Sequence, residues 1–228
     1  MPERQHTRTY YEQQLRELKN KLLIMSHYAE EMIADSISSL VNRRPSLAED
    51  VIERDKKVDS LEIEVDNLCY LIMALEQPVA TDLRFVATAL KIVKDLERIG
   101  DIAVNISERT LELIEQPEVK PLIDLPIMAN LTQNVLKQSL DAFVNGDAEL
   151  AEKIIVNDET IDAMYEQILR ELLTYMLDNP RSISAAIKLI FIAKHLERVA
   201  DHSANIAEMV VFLVRGQDIR HRVHVHGA

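Results

Sequence analysis

Glu97 and Asp101 stand four residues apart in the run Lys94-Asp95-Leu96-Glu97-Arg98-Ile99-Gly100-Asp101, and the run recurs as Lys194-His195-Leu196-Glu197-Arg198-Val199-Ala200-Asp201. The echo continues through Asn105-Ile106 and Asn205-Ile206. On an α-helix, residues i and i+4 are neighbours on one face, so each copy sets two carboxylates side by side. Like charges at that spacing repel, at a cost of a few tenths of a kcal/mol unless a cation lies between them. A second repeated pair has the same spacing: Asp55 with Asp59, and Asp158 with Asp162. If the helices bearing them run antiparallel as neighbours, Asp55, Asp59, Glu97 and Asp101 meet in one cluster. Asp158, Asp162, Glu197 and Asp201 then form its twin. Four carboxylates in one groove cannot all stay ionised without compensation, and a metal ion would supply it. Carboxylate-only ligation suits hard cations such as magnesium, manganese, calcium or ferric iron rather than thiolate-bound zinc. Acid pairs at this spacing also occur by accident on acidic helices, balanced here by Lys56, Lys57, Arg98 and Arg198. Four pairs at equivalent places in a repeat favour the metal.

The elements that position these acids are read from apolar periodicity. From about Tyr11 to Asn42, apolar residues step by three or four, as in an amphipathic helix. Pro45 breaks that helix, and Ser46 with Glu49 offers a capping box for a second one running to about Glu76. Gln77-Pro78 ends the second, and Thr81 or Asp82 is the expected cap of a third, from about Leu83 to Glu115. On the third helix Leu96, Ile99, Ala103 and Ile106 form the core stripe. Glu97 and Asp101 lie about 100° round from that stripe, beside a neighbouring helix rather than facing open solvent.

After the Pro117–Pro126 region the pattern restarts. Met32–Asp59 aligns with Val135–Asp162 at an offset of 103 residues, and the final segment aligns at an offset of 100. With short loops, three consecutive helices pack antiparallel round one core. The expected fold is all-α: two pseudo-symmetric three-helix bundles, six long helices in all. The expected division is residues 1–117 for the first repeat and 118–228 for the second with its short basic, His-containing tail.

Composition narrows the function. The 228 residues carry a formal charge of −12, which argues against nucleic acid as a partner and against a purely electrostatic hold on anionic lipid. Only 4 Gly and 7 Pro punctuate the chain, as long uninterrupted helices require. The single Cys69 excludes an internal disulfide and sits in an apolar run as expected core. The N-terminus reads as having no signal peptide, and no apolar run is long enough to span a membrane, so a cytoplasmic protein is expected. A Glu-x-x-His di-iron set would need histidine where Gly100 and Ala200 stand, so a ferritin-like oxidase is disfavoured. His221, His224 and His226 could take up a transition metal adventitiously, but a disordered end is the simpler expectation. No phosphate loop or nucleophile motif accompanies the acids, which points to a binding and signalling module, not an enzyme.

The duplicated Leu-Glu-Arg motif with its Asp and Asn, the Gln77-Pro78 turn with Asp82-Leu83-Arg84, Leu173-Thr174-Tyr175-Met176 and the ending Gly216-Gln217-Asp218-Ile219-Arg220-His221 together resemble the PhoU family. The likeness runs from about Gln14 to His221. It implies metal-binding acid pairs falling on the eight residues named above, with iron, manganese or magnesium as the bound ion. It also implies a negative regulator of phosphate uptake and of the phosphate-starvation response. Such an adaptor works between the ATPase subunit of a phosphate ABC transporter and a sensor histidine kinase, meets the membrane only through partners, and often forms a homodimer. The rival reading is a carboxylate-rich, metal-binding helical bundle with a storage or scaffolding role. Two features depart from the family pattern: His195 in the place of Asp95, and the basic, His-rich ending.

Overall fold

A computed structural model describes residues 3–156 and 159–219. The helices are α1 (Glu3–Asn42), α2 (Pro45–Glu76), α3 (Ala80–Ile114), α4 (Asp124–Asn145), α5 (Ala148–Val156), α6 (Glu159–Asp178) and α7 (Ile183–Arg215), with a 3₁₀ turn at Pro180–Ser182. Helices α5 and α6 together stand where α2 stands in the first repeat. Asp158 lies outside the described residues, as does the His221–His226 tail. The fold is all-α, as the periodicity predicts: α1, α2 and α3 pack as one three-helix bundle, and α4, α5/α6 and α7 as its counterpart.

The bundles meet along α3 and α7, with α1 also touching α4. These two helices run antiparallel. Lys188 pairs with Glu112 at 2.8 Å towards one end, Arg109 lies over the Phe191 ring nearby, and Arg84 reaches the Leu213 carbonyl at the other end. Leu22, Met25 and Met32 of α1, Leu96 and Ile99 of α3, Leu136 of α4 and Leu196 and Val199 of α7 are all buried in one continuous apolar cluster. Each repeat's third helix therefore belongs both to its own bundle and to the seam between bundles.

The helix starts differ from the expected caps. Pro45 takes the first turn of α2, where its fixed φ suits the helix and its missing N–H costs nothing. Ser46 then falls inside the helix, and Arg44 precedes it with no side-chain cap, so the Ser46/Glu49 box does not form. Helix α3 likewise begins at Ala80, before the expected caps. Asp82 accepts a hydrogen bond from the Tyr11 hydroxyl at 2.8 Å, and Thr81 Oγ1 accepts one from Arg84. Asp82 thus ties α3 to α1, while Thr81 bonds a side chain three residues on in the same helix; neither caps the α3 backbone.

The helix C-termini that close each repeat are held by arginines. Arg43, at φ 50°, donates to the carbonyls of Ile114 (2.6 Å) and Gln116 (2.9 Å) at the end of α3. Its counterpart 103 residues on is Gly146, at φ 63°, which has no side chain to send. At the end of α7 the corresponding cation is Arg84, from the other repeat. Positive charge at a helix C-terminus complements the backbone dipole and satisfies carbonyls left without intrahelical partners.

Because the core is continuous, Leu96→Ala is expected to cost about 2–5 kcal/mol and to lower the stability of both repeats together. Urea denaturation followed by circular dichroism should show one transition shifted as a unit. Two separated transitions would contradict this.

Candidate metal centre

Helices α2 and α3 are antiparallel neighbours, so the Asp55/Asp59 pair faces the Glu97/Asp101 pair. The four acids expected to cluster in the first repeat do share one electrostatic environment. The Asp55 carboxyl is pushed up to about 6, first by burial, then by the charges of Asp59 and Asp101. Glu97 is raised by burial, by Asp101 and, more weakly, by Glu62 and Asp59, against the pull of Arg98. Glu97 is well enclosed, with a side chain 17% exposed, whereas Asp101 at 42% is more open than the flanking position predicts. Arg98 supplies a cation to both, 3.5 Å from Glu97 and 2.9 Å from Asp101.

Gly100 makes this approach possible. A Cβ there would stand 3.0 Å from Asp55 Oδ1 and 3.3 Å from Val58 Cγ1. A glycine within a helix costs up to about 1 kcal/mol relative to alanine, and here it clears room for a carboxylate against the α3 backbone.

In the second repeat Asp162, Glu197 and Asp201 gather in the equivalent place. Asp201 is raised by burial, then by Glu197 and Asp162, with Lys194 and His202 opposing. Lys194 forms an ion pair with Glu197 and lies 5.2 Å from the Tyr165 ring centre.

Two further acids extend the first groove. Glu62 and Asp66 of α2 both contact Lys94 Nζ, Asp66 at 3.2 Å. With Asp55 and Asp59 they step along α2 by four, three and four, which is one helical stripe, and that spacing was the available signal. Their counterparts in the second repeat are Tyr165 and Leu169, so the duplication of acids does not extend to them.

The other polar residues singled out from the sequence have different work. Asn105 donates to the Asp101 backbone carbonyl at 2.7 Å, and Asn205 to Asp95 Oδ1 at 3.3 Å. His202 Nδ1 lies 2.9 Å from Asp95 Oδ1, bonding α7 to α3 across the seam. His195 is buried with no hydrogen-bond partner on either ring nitrogen, and burial, then Arg109 and Arg198, push it down to about 4, so it is neutral. Cys69 is buried, and its thiol is pushed up to about 12 by burial and Asp66.

Among the described residues no three His, Cys, Asp or Glu side chains close into a preformed metal cage. The donor chemistry nonetheless fits a hard cation. The groove is lined by carboxylate oxygens whose mutual repulsion raises their affinity for positive charge, and Arg98 reaches two of them from an exposed position.

Tandem three-helix units with an acidic groove between the second and third helices define a duplicated, carboxylate-bearing helical bundle. The PhoU domain matches residues 22–110 and 125–210, and the chain belongs to the PhoU family. It is 38% identical over 217 residues to the phosphate-specific transport system accessory protein PhoU homolog of Pseudomonas putida, covering 95% of this chain and 85% of that protein. It is 35% identical over 216 residues to the phosphate-specific transport system accessory protein PhoU of Escherichia coli (strain K12), covering 95% and 90%. The crystal structure of PhoU from Pseudomonas aeruginosa superposes with a TM-score of 0.88 at 36% identity, over 91% of this chain and 100% of that one. The phosphate transport system regulatory protein PhoU from Streptococcus pneumoniae gives a TM-score of 0.83 at 30% identity, over 91% and 98%.

The raised Asp55 has a consequence for stability. Its value moves from 3.8 to about 6 on folding, so the folded state binds the proton more tightly than the unfolded chain does. The stability of cation-free protein therefore falls as pH rises through that window. Asp55→Asn is expected to flatten this fall and to raise stability at pH 7 by about 1 kcal/mol, with little effect near about pH 3.5. Denaturant midpoints measured across pH without added metal check this, and an unchanged slope would refute it.

Proposed function

We propose that this protein is an accessory regulator of phosphate-specific transport that restrains uptake and holds the phosphate-starvation response off when phosphate is plentiful. The observation that carries the reading is that likeness to accessory proteins of the phosphate-specific transport system runs through both repeats and nearly the whole chain. In this reading the chain works by binding rather than catalysis. It contacts the transporter's ATPase subunit and a sensor histidine kinase at the cytoplasmic face of the membrane, and acts as a homodimer. No described helix is long and apolar enough to cross a membrane, and the chain meets the bilayer through its partners.

The two grooves are the cation sites of this reading: Asp55, Asp59, Glu97 and Asp101 in the first repeat, and Asp158, Asp162, Glu197 and Asp201 in the second. A hard ion such as iron, manganese or magnesium would relieve the repulsion among them and tie the second helix of each repeat to the third. The cation thereby adjusts the packing of a bundle that offers its surface to partners.

Deleting the gene is expected to leave phosphate-starvation genes expressed in high-phosphate medium, read with a reporter fusion. Normal repression in the deletion strain would overturn the regulatory reading. Separately, Glu97→Ala with Asp101→Ala should lower the metal content of the purified protein by elemental analysis while its helical circular dichroism is kept. Unchanged content would remove the metal assignment without touching the regulatory one.

A further inference from the structure

The linker between the repeats is pinned at both ends. Arg43, in the turn after α1, holds its near end through the Gln116 carbonyl at 2.9 Å. Lys120, a buried lysine, holds its far end by pairing with Glu171 of α6 and, at 3.8 Å, with Asp124 of α4. Between these pins, strap and bundles line a cavity of about 140 Å³. Its apolar lining comes from three parts of the chain: Leu40 and Leu113 of the first repeat, Val119 and Leu122 of the strap, and Leu189 of the second repeat. Its charged lining is Arg43, Glu118 and Lys120. Lys120 is matched by its two acids, but Arg43 is less completely used. Its Nη2 serves the Ile114 and Gln116 carbonyls, whereas among the described residues Nη1 meets only Glu118, at 3.8 Å and beyond hydrogen-bond reach. The Glu118 side chain is 63% exposed, so this ion pair is loose and hydrated.

We propose that this cavity binds a small monocarboxylate with an apolar body of about six carbons, whose carboxylate takes the place of Glu118 at Arg43. The volume sets the body, since an aliphatic-lined cavity of about 150 Å³ takes up one benzene. Arg43 sets the head, because guanidinium N–H groups that lack an acceptor are matched by a planar carboxylate. Exchanging one carboxylate for another leaves the charge at the mouth unchanged, and Glu118 returns to water at little cost. The body then lies against Leu113 and Leu189, and the head stays where the lining reaches solvent. The site is single: Arg43 has Gly146 as its counterpart in the second repeat, and the strap that joins the repeats has none. A ligand seated there touches the first repeat, the strap and the second repeat together, so its binding acts on the junction of the two halves. None of these residues belongs to the acid pairs of the two grooves.

Hexanoate, hexanol and hexylamine, titrated separately at neutral pH into the full-length chain with its leucine and valine methyls labelled for nuclear magnetic resonance, test this. One hexanoate per chain is expected, with the Leu113, Val119 and Leu189 methyl signals moving together. Hexanol binds about 10- to 100-fold more weakly, the usual worth of a hydrogen bond between charged groups, and hexylamine more weakly again. Butanoate binds about 10- to 20-fold more weakly than hexanoate, at about fourfold for each methylene lost. Glu118→Gln tightens hexanoate, and Arg43→Gln brings it down to the level of hexanol. Val119→Phe, which puts a ring into the cavity, removes every probe. Circular dichroism confirms that each variant keeps its helices. Because Arg43 also holds the end of α3, Glu118→Gln is the variant that tests the head group without touching the fold. If hexanoate leaves those methyl signals in place, the site is refuted. Equal binding of hexanoate and hexanol, or a Glu118→Gln protein that takes hexanoate like the parent, overturns the carboxylate assignment.

Discussion

The antiparallel packing of α3 on α7 is the constraint on which the rest of the molecule depends. Each of these helices packs against its own bundle and against the other, and Ile99 and Val199 are fully buried in the one continuous core that results. What remains of each helix surface is narrow. Glu97 and Asp101 are confined to that remainder on α3, and Glu197 and Asp201 on α7. The two glutamates are held against the groove made by α2 or by α5 and α6, whereas Asp101 and Asp201 reach further into solvent. Enclosure of the two glutamates thus follows from the way the bundles join.

The same constraint explains why the acids perturb one another. Gly100 brings the backbone of α3 within reach of Asp55, and burial adds to the repulsion from Asp59 and Asp101. Surface acids at the same spacing would be screened by water and salt. Here the low-polarity wall of the bundle stands behind them. Electrostatic tension is therefore concentrated where the second and third helices touch, so that anything neutralising it acts directly on how those helices pack.

Much of this was legible in the chain, for physical reasons. Helical periodicity and the scarcity of glycine and proline gave the helices, and the offset alignment paired the acids of one repeat with those of the other. The helix starts differ from the expected caps because a proline at a helix start outweighs a nearby serine, and because Asp82 has a distant partner in Tyr11 that local sequence does not reveal. Glu62 and Asp66 have no acidic counterparts in the second repeat, where Tyr165 and Leu169 stand, so the duplication does not mark them. The Asp95–His202 bond is a tertiary contact across the seam, between residues that share no position in the alignment, so nothing in either copy alone announces it.

That bond bears on how a duplicated chain keeps its halves distinct. The positions equivalent to Asp95 and His202 are His195 and Ile102, so the polar contact can be made in one sense only. Two first repeats set face to face would each offer Asp95 to an isoleucine, and two second repeats would have a histidine on each side and no acid to receive it. The seam therefore discriminates self from sister. Each half is built to recognise its complement, and the most direct supply of that complement is the other end of the same polypeptide.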